Sequence, residues 1–361
     1  MGEVRQLRGI ERLLQQQQEY SQKPKETQNT VVPFLQRAKS WKAFTAEAKP
    51  IKWIWRYVLA KKHVSILAGD PGTGKTTLLR RWFWEVYTQE AAEFLGLATE
   101  RPRKLLVITE ESPDIWKENL NADLSAFEIF FLSTDEIGSL DDWLTFCKEL
   151  EGFDGDLLII DSFNAIFCGD SINDATEVNK VLKPLSVATR KAGFATLVLD
   201  HHRKDGDIDY GKGVAGSYAK VGSADFVLTL SRANPKDKAG RGRILTVAKT
   251  RISVPTDLVE GLHIELTDDG RYLVRGSKRV VAAERWAEED ETLLRALDEA
   301  GRAGDPWVEP EKLRATVGCN KNRFAQHVKK LKEDGLLVTN GKGSRGIRYA
   351  LKQFVTQPKT P

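Results

Sequence analysis

The stretch GDPGTGKTT, from Gly69 to Thr77, directly follows the apolar run HVSILA. A G-x4-G-K-T spacing between an apolar strand and a helix is the Walker A pattern. Its backbone N–H groups and helix N-terminus favour a phosphate anion, its lysine reaches the β- and γ-phosphates, and its threonine hydroxyl binds Mg²⁺. We therefore predict an ATP and Mg²⁺ site formed by Gly69, Asp70, Pro71, Gly72, Thr73, Gly74, Lys75, Thr76 and Thr77.

Acidic residues follow two other apolar runs. Asp161 ends LLIID and is expected to hold the Mg²⁺ shell together with Thr76. Many P-loop ATPases carry a glutamate directly after this aspartate, but here Ser162 follows it. Glu110 and Glu111 instead end the strand LLVITEES, and one of them is expected to polarise the attacking water. The sequence leaves open which of the two does so.

The loop belongs to a regular alternation of strands and helices. Strands are predicted at 63–68, 104–109, 128–132, 156–161 and 194–200, with helices near 75–90, 114–122, 139–150 and 174–192. Such an alternation predicts a doubly wound α/β fold with a parallel sheet covered on both faces. After His201 the sequence becomes rich in strands and contains the turn signal DDG, so we expect an antiparallel extension of the sheet.

The 361 residues, 41% of them apolar and 29% charged, are enough for one large domain and a smaller one. Residues 1–40 are polar and predicted to be a disordered or weakly helical leader, and residues 41–280 are predicted to form the α/β domain. Residues 286–355 show three amphipathic helices followed by two strands, the order of a winged helix-turn-helix. The net charge is only +4, but the stretch from Val317 to Pro361 contains ten basic residues and only two acidic ones, which predicts a basic surface on this domain.

The chain offers no signal for a membrane or a metal site of cysteines. No apolar run approaches the roughly 18 residues of a membrane helix, and a cytoplasmic location is expected. Cys147, Cys168 and Cys319 lack metal-ligand spacing and are assigned no role.

Five motifs in order, GDPGTGKTT, ITEESPDIW, LLIIDSFNAIF, LVLDHHRK and LTVAKTR, resemble those of the RecA-like ATPases. Over about residues 45 to 275 the resemblance is greatest to the RepA-type plasmid helicases and their DnaB-type and KaiC-like relatives. It implies that the catalytic base follows the second motif strand, as the missing glutamate after Asp161 also indicates. It also implies ATP sites between the subunits of a ring or filament.

The resemblance extends to three further groups of residues. His201 or His202 matches the polar sensor of the γ-phosphate. Lys249 and Arg251, spaced i and i+2 and expected on the same side of one strand, match the fingers that reach the neighbouring subunit's γ-phosphate, although a solvated basic strand edge is an alternative interpretation. The glycine-rich stretch after the sensor matches loops that line a central channel for single-stranded DNA, with a disordered surface loop as the alternative, and its candidate contacts are Arg203, Lys204, Lys212 and Lys220.

The predicted winged helix supplies a second set of candidate DNA contacts. Its third helix, 320–334, presents Asn, Gln and Arg, which read base edges, and Lys, which holds phosphate. Many winged helices bind protein instead of duplex DNA. The helix residues are Lys321, Asn322, Arg323, Gln326, His327 and Lys330, and the wing residues are Lys342, Arg345 and Arg348.

These patterns favour an ATP-driven motor on DNA, most simply a hexameric replicative helicase. One alternative is a KaiC-like regulatory ATPase that does not translocate. Another is a recombination or loading ATPase that forms rings or filaments on DNA.

Overall fold

The computed structural model describes residues 38–120, 122–201, 218–237, 239–340 and 346–355. The chain forms two compact units, one up to Pro50 and one from Ile51 onward. In the first unit, helix α1 (Trp41–Ala46) begins at Ser40, whose side chain accepts a hydrogen bond from the Ala43 N–H. All further elements belong to the second unit.

A nine-stranded sheet forms the centre of the second unit. In chain order the strands of the second unit are β1 (Trp53–Trp55), β2 (Leu59–Ala60), β3 (Val64–Gly69), β4 (Glu93–Phe94), β5 (Leu97–Ala98), β6 (Lys104–Thr109), β7 (Glu128–Ser133), β8 (Leu157–Asp161), β9 (Ala195–His201), β10 (Phe226–Arg232), β11 (Gly242–Lys249), β12 (Leu262–Leu266), β13 (Tyr272–Ser277), β14 (Leu337–Thr339) and β15 (Tyr349–Leu351). The order across the large sheet is β13-β12-β11-β10-β3-β9-β8-β6-β7. The pairs β1–β2, β4–β5 and β14–β15 form small separate sheets.

The six strands from β10 to β7 are parallel, and the five predicted strands are all among them. β3 and β8 are buried along their whole length, as expected for parallel strands covered on both faces. Residues at the carboxyl ends of these strands, including Gly69, Asp161 and His201, therefore lie along one edge of the sheet.

The antiparallel extension is present but begins one strand later than predicted. β10 pairs in parallel with β3, and only β11, β12 and β13 are antiparallel to their neighbours. β10 follows helix α7 (Tyr218–Ser223), and a strand reached through such a crossover can enter the sheet parallel to β3. The DDG turn joins β12 to β13, with Gly270 at φ 78°.

Helices cover both faces of the sheet. The remaining helices are α2 (Lys75–Phe83, continued by a π-helical turn, Trp84–Thr88), α3 (Pro113–Leu120), α4 (Leu140–Leu150), α5 (Phe163–Ile166), α6 (Ala175–Ala192), α8 (Thr256–Glu260), α9 (Lys278–Arg302), α10 (Pro310–Val317), α11 (Lys321–Glu333) and α12 (Lys352–Val355). Successive β8 residues alternate between two apolar clusters: Ile159 packs with Trp82 and other α2 residues, and Ile160 packs with Trp143 of α4 and Leu185 of α6. This alternation produces a three-layer α/β core.

The C-terminal elements have an apolar cluster of their own. Leu293 and Leu297 of α9, Leu313 of α10, Phe324 of α11 and Leu351 of β15 are buried together. A single bridge joins Val308 to Tyr349 beside the β14–β15 pair. Throughout the described part of the chain, no helix is long and apolar enough to cross a membrane.

Candidate functional site

The loop between β3 and α2 has the backbone that its glycines predict. β3 ends at Gly69, and Gly74 at φ 91° leads into α2, which begins at Lys75. A Cβ at Gly69 would lie 2.6 Å from the carbonyl oxygen of Leu230, so no larger residue fits there without a backbone shift. The Thr73 hydroxyl donates to the carbonyl of Asp70 at 2.8 Å and closes the turn. The loop therefore opens onto a helix N-terminus, where an anion is favoured.

Lys75 lies against the loop that precedes it. Its Nζ donates to the carbonyl oxygens of Gly69 at 2.8 Å and Asp70 at 3.4 Å. Burial lowers the pKa of the Lys75 ammonium, and the charges of Asp161, Asp200 and Asp70 oppose that shift. A phosphate placed at this loop would meet a partly desolvated cation, which interacts with an anion more strongly than a solvated one does.

Thr76 and Asp161 meet across the site. The Thr76 hydroxyl donates to Asp161 Oδ2 at 2.9 Å. Burial, and then the charges of Glu111 and Glu110, raise the pKa of Asp161 to about 6, although the Thr76 hydrogen bond and Lys75 act in the opposite direction. A hydroxyl and a carboxylate together fit Mg²⁺, which usually takes one or two protein oxygens and completes its shell with water and phosphate. No group of three or more Asp, Glu, His or Cys side chains that could hold a metal ion is found among the described residues.

Glu110 and Glu111 follow β6, but the structure gives them different surroundings. Arg80 of α2 forms an ion pair with Glu111, and the Arg80 guanidinium lies 4.9 Å from the centre of the Trp116 ring. The Glu110 backbone N–H donates to the carbonyl of Asp161 at 3.3 Å, and its side chain is exposed. Glu111 is thus held by a cation, whereas Glu110 is available to a water molecule. The role of Arg80 could not be predicted from the sequence, because it depends on where α2 lies against β6.

His201 ends β9 and pairs in register with Gly69. Its Nδ1 is buried and has no hydrogen-bond partner within the described residues. Burial and the charge of Lys75 lower the pKa of the imidazole, so the ring is neutral at pH 7. A neutral ring beside the loop can donate one hydrogen bond to a phosphate oxygen. His202 lies outside the described residues.

The DNA contact predicted for Lys220 is corrected by the structure. Its side chain is fully buried, and Nζ lies 2.9 Å and 3.0 Å from the two carboxylate oxygens of Asp200. The ammonium also lies 4.2 Å from the centre of the Phe163 ring. A cation enclosed by an aspartate and an aromatic ring is not accessible to a phosphate backbone. Sequence reasoning missed this ion pair because a lysine in a glycine-rich stretch is usually solvated.

Lys249 and Arg251 lie away from this chain's own phosphate loop. Lys249 pairs with Val227 at the start of β10, which is the opposite edge of the sheet from Gly69. Its Nζ donates to the carbonyls of Val221 and Ala224 at the end of α7. Arg251 lies beyond the end of β11 and not on the strand, and its Nε is 3.0 Å from Asp225 Oδ1. Any contact of these two side chains with a γ-phosphate therefore requires a second subunit.

The candidate DNA contacts of α11 fall into two groups. Lys321, Asn322 and Gln326 are exposed. Facing α9 instead, Arg323 and Lys330 form ion pairs, Arg323 with Glu289 and Lys330 with Asp290 at 2.6 Å. The expectation that His327 is presented on the surface is wrong, because its ring is buried between these two carboxylates.

Of the remaining predicted contacts, only Arg348 lies within the described residues. Arg348 is exposed and lies 3.2 Å from Glu309. The predicted contacts outside the described residues are Arg203, Lys204, Lys212, Lys342 and Arg345.

Comparison with known proteins agrees with the geometry of the loop. Residues 32–207 match a family model described as AAA domain, and this range includes the phosphate loop, both glutamates, Asp161 and His201. No curated protein matches the chain. The large, mostly parallel sheet fits the core of a P-loop NTPase, and such a domain implies nucleotide binding. The match over residues 32–207 therefore supports a P-loop ATPase family for this chain.

Proposed function

We propose that this protein hydrolyses ATP, with Mg²⁺, to drive a motor on DNA, most simply a hexameric helicase of the RepA or DnaB kind. The observation that carries the ATPase part is the convergence of Lys75, Thr76, Asp161 and Glu110 at one edge of the sheet. These residues supply a cation for the phosphates, a pair of metal ligands and an exposed carboxylate. Mg²⁺ held by Thr76 and Asp161 would neutralise phosphate charge during hydrolysis.

In the proposed reaction each residue has a separate task. Glu110 accepts the proton of the attacking water, because Glu111 is already paired with Arg80. Lys75 stabilises negative charge on the β- and γ-phosphate oxygens. The neutral His201 donates to a γ-phosphate oxygen and loses this contact when phosphate leaves. Since His201 directly precedes the segment 202–217 with its cations, this loss is our proposed route from hydrolysis to DNA.

Two features support DNA and a ring of subunits as partners. Three helices, α9 to α11, followed by β14 and β15, have the order of a winged helix, and α11 exposes residue types suited to duplex DNA. Arg251, at the edge of the sheet far from this chain's own loop, is more than half exposed and suits a site shared with a neighbour. Single-stranded DNA would then contact the segment 202–217, and duplex DNA would contact α11.

A second candidate function is a regulatory ATPase that binds DNA or protein without translocating. The internal ion pairs of Arg323 and Lys330 favour it, because they neutralise part of the basic face of α11. A recombination or loading ATPase that forms rings or filaments remains a third proposal from the same ATP site.

The test is ATP hydrolysis and strand separation by the full chain, with single-stranded, duplex and forked DNA. We expect hydrolysis to increase with DNA and the fork to unwind, whereas Lys75→Ala abolishes both. Slow turnover with nucleotide-dependent assembly and no unwinding would favour the regulatory ATPase. Hydrolysis indifferent to every form of DNA would exclude the motor, and electron microscopy with an ATP analogue would separate rings from filaments.

A further inference from the structure

Two arginines of the β10–β11 hairpin contact the phosphate loop, although neither belongs to its motif. Arg232 Nη2 donates to the carbonyl oxygen of Gly72 at 2.7 Å. Arg243 Nε donates to the carbonyl oxygen of Thr73, also at 2.7 Å. The two arginines are direct partners across the antiparallel pair. The antiparallel part of the sheet therefore holds two successive peptide groups of the loop.

Arg232 and Arg243 place like charges opposite one another on the hairpin. Like charges directly opposite one another on neighbouring strands destabilise the pair. Arg243 is also half-buried, and burial followed by the charge of Arg232 lowers the pKa of its guanidinium. Within the described residues Arg243 forms no ion pair with a carboxylate; besides Thr73 it donates only to the carbonyls of Gly240 at 2.6 Å and Gly242 at 2.9 Å. An anion at the adjacent loop would relieve this repulsion, as a phosphate does.

The contacts also fix the orientation of the peptide groups. In a trans peptide the C=O and the following N–H point to opposite sides of the chain. With the Gly72 and Thr73 carbonyls held by the arginines, the N–H groups of Thr73 and Gly74 are directed to the other side of the loop. The Thr73 N–H closes the turn onto Asp70 at 3.1 Å, and Gly74 is the residue from which α2 starts. A Cβ at Gly72 would lie at an ordinary contact distance of 3.5 Å from Arg232 Nη2, and the φ of 71° is what favours glycine at this position.

We propose that Arg232 and Arg243 are positioning residues that hold the loop in its phosphate-binding conformation before a nucleoside di- or triphosphate arrives. This inference rests on nucleotide binding at the loop, which belongs to the proposed function. A loop that is ordered in advance loses less conformational freedom on binding and so binds more tightly. Because the arginines contact the loop and not the reacting phosphate, they act on affinity and leave the hydrolysis step of the bound nucleotide unchanged.

The experiment measures the binding of MgADP and of a slowly hydrolysed ATP analogue to the full chain by calorimetry. The variants are Arg232→Gln, Arg243→Gln and the double variant. The control is Arg241→Gln, two residues before Arg243 on the same hairpin, whose side chain is exposed and pairs with Asp268. Thermal unfolding without nucleotide is recorded for each variant.

We expect each single variant to raise the Kd for both nucleotides about tenfold, the loss typical of one hydrogen bond from a charged donor. The double variant should lose less than the product of the two effects, because the arginines hold adjacent peptide groups. Turnover at saturating ATP should stay within about twofold of the unchanged chain, so the effect falls on KM. Arg241→Gln should bind both nucleotides as the unchanged chain does.

The outcomes separate the two proposals. If the unchanged chain binds neither nucleotide, the proposed function fails. If it binds them and Arg243→Gln binds with the same Kd, the positioning role is overturned. Should Arg243→Gln fail to fold, Arg232→Gln decides instead, because its bond to Gly72 lies at the surface; an unchanged Kd there overturns the positioning role in the same way.

Discussion

The three acidic side chains at the carboxyl edge of the sheet are chemically different because their neighbours differ. Asp161 is buried and bonded to one hydroxyl, Glu111 is paired with a guanidinium, and Glu110 is exposed. Burial makes the charged form of Asp161 costly in the absence of a cation. A bound metal ion would therefore offset the free-energy cost of keeping the Asp161 carboxylate charged and buried.

The raised pKa of Asp161 predicts a pH dependence of the free energy of unfolding for the nucleotide-free chain. The pKa of Asp161 is about 6 when folded against an ordinary value of 3.8, so between these pH values the folded chain binds more protons than the unfolded chain. The free energy of unfolding should then fall by about 2 kcal/mol as the pH rises from 4 to 6. Urea unfolding over pH 4 to 7.5 measures this fall.

Asp161→Asn is the matched variant for that measurement. It removes the buried charge, so it should unfold with a flatter pH dependence and be more stable than the unchanged chain by about 2 kcal/mol at pH 7.5. It should also lose Mg²⁺-dependent nucleotide binding. Identical pH profiles for the two chains would show that Asp161 is not the titrating group.

The two glutamates make a second prediction at the same scale. Glu110→Gln should bind ATP normally but hydrolyse it at least about 100-fold more slowly, since the amide cannot accept the proton of water. Glu111→Gln should retain turnover within about tenfold, because its main loss is the ion pair with Arg80. Single-turnover hydrolysis and nucleotide binding measure both effects. The reverse pattern would assign the base to Glu111.

At the scale of elements, the pattern of apolar residues predicted the bounds of the strands well but not their pairing direction or their ion pairs. β6 occupies the predicted 104–109, and β3, β8 and β9 differ from their predicted bounds by one residue. Apolar runs between turn signals identify buried strands because burial on both faces demands such runs. Pairing direction and ion pairs depend on residues far apart in the chain, so the parallel direction of β10 and the Asp200–Lys220 pair were not predicted. The loop of the site was predictable, whereas Arg80 and Arg243 were not.

The Asp200–Lys220 pair predicts a large loss of stability on removal of either partner. Lys220→Met leaves Asp200 buried without a cation, and the free energy of unfolding should fall by about 3–5 kcal/mol. The double variant Asp200→Asn with Lys220→Met should recover part of this loss. Lys183→Met, an exposed lysine of α6, is the control and should change stability by less than about 0.5 kcal/mol. Denaturant unfolding decides, and a small effect of Lys220→Met would indicate that the pair is solvated.

Helix α11 yields a prediction about duplex DNA that follows from the proposed function. Lys321→Ala should weaken binding to every DNA sequence. It should also reduce the slope of log binding constant against log salt concentration by about one, as the loss of a phosphate contact does. Gln326→Ala should reduce the free energy of binding to the preferred DNA sequence by about 1–3 kcal/mol and so relax the sequence preference. Lys330→Ala, the control on the same helix, should change little because Asp290 already neutralises that lysine. Fluorescence anisotropy at several salt concentrations measures the DNA affinity of all three variants. Equal losses of affinity would mean that DNA binding does not depend on which side of α11 carries the substitution.

At the scale of the whole molecule, the proposed ring of subunits requires a second copy to supply a cation to the nucleotide site. Arg251 lies on the edge of the sheet opposite the phosphate loop, so only a head-to-tail arrangement brings it to a nucleotide. Arg251→Ala alone should lose turnover by about 1,000-fold or more, as expected for an arginine that stabilises transition-state charge. Its ion pair with Asp225 is more than half exposed on the arginine side, so the variant should remain folded.

Mixed assemblies test whether the finger acts between subunits. In an equal mixture of Arg251→Ala and Lys75→Ala, about a quarter of the interfaces join an intact loop to an intact finger, if subunits combine at random in head-to-tail order. Turnover should therefore reappear at about a quarter of the level of the unchanged assembly, although neither variant is active alone. Lys249 should not replace the finger, since its ammonium is bound to the end of α7. A mixture as inactive as its components would mean that Arg251 acts within its own chain or not at all, because only an interface shared by two chains can restore what each chain lacks.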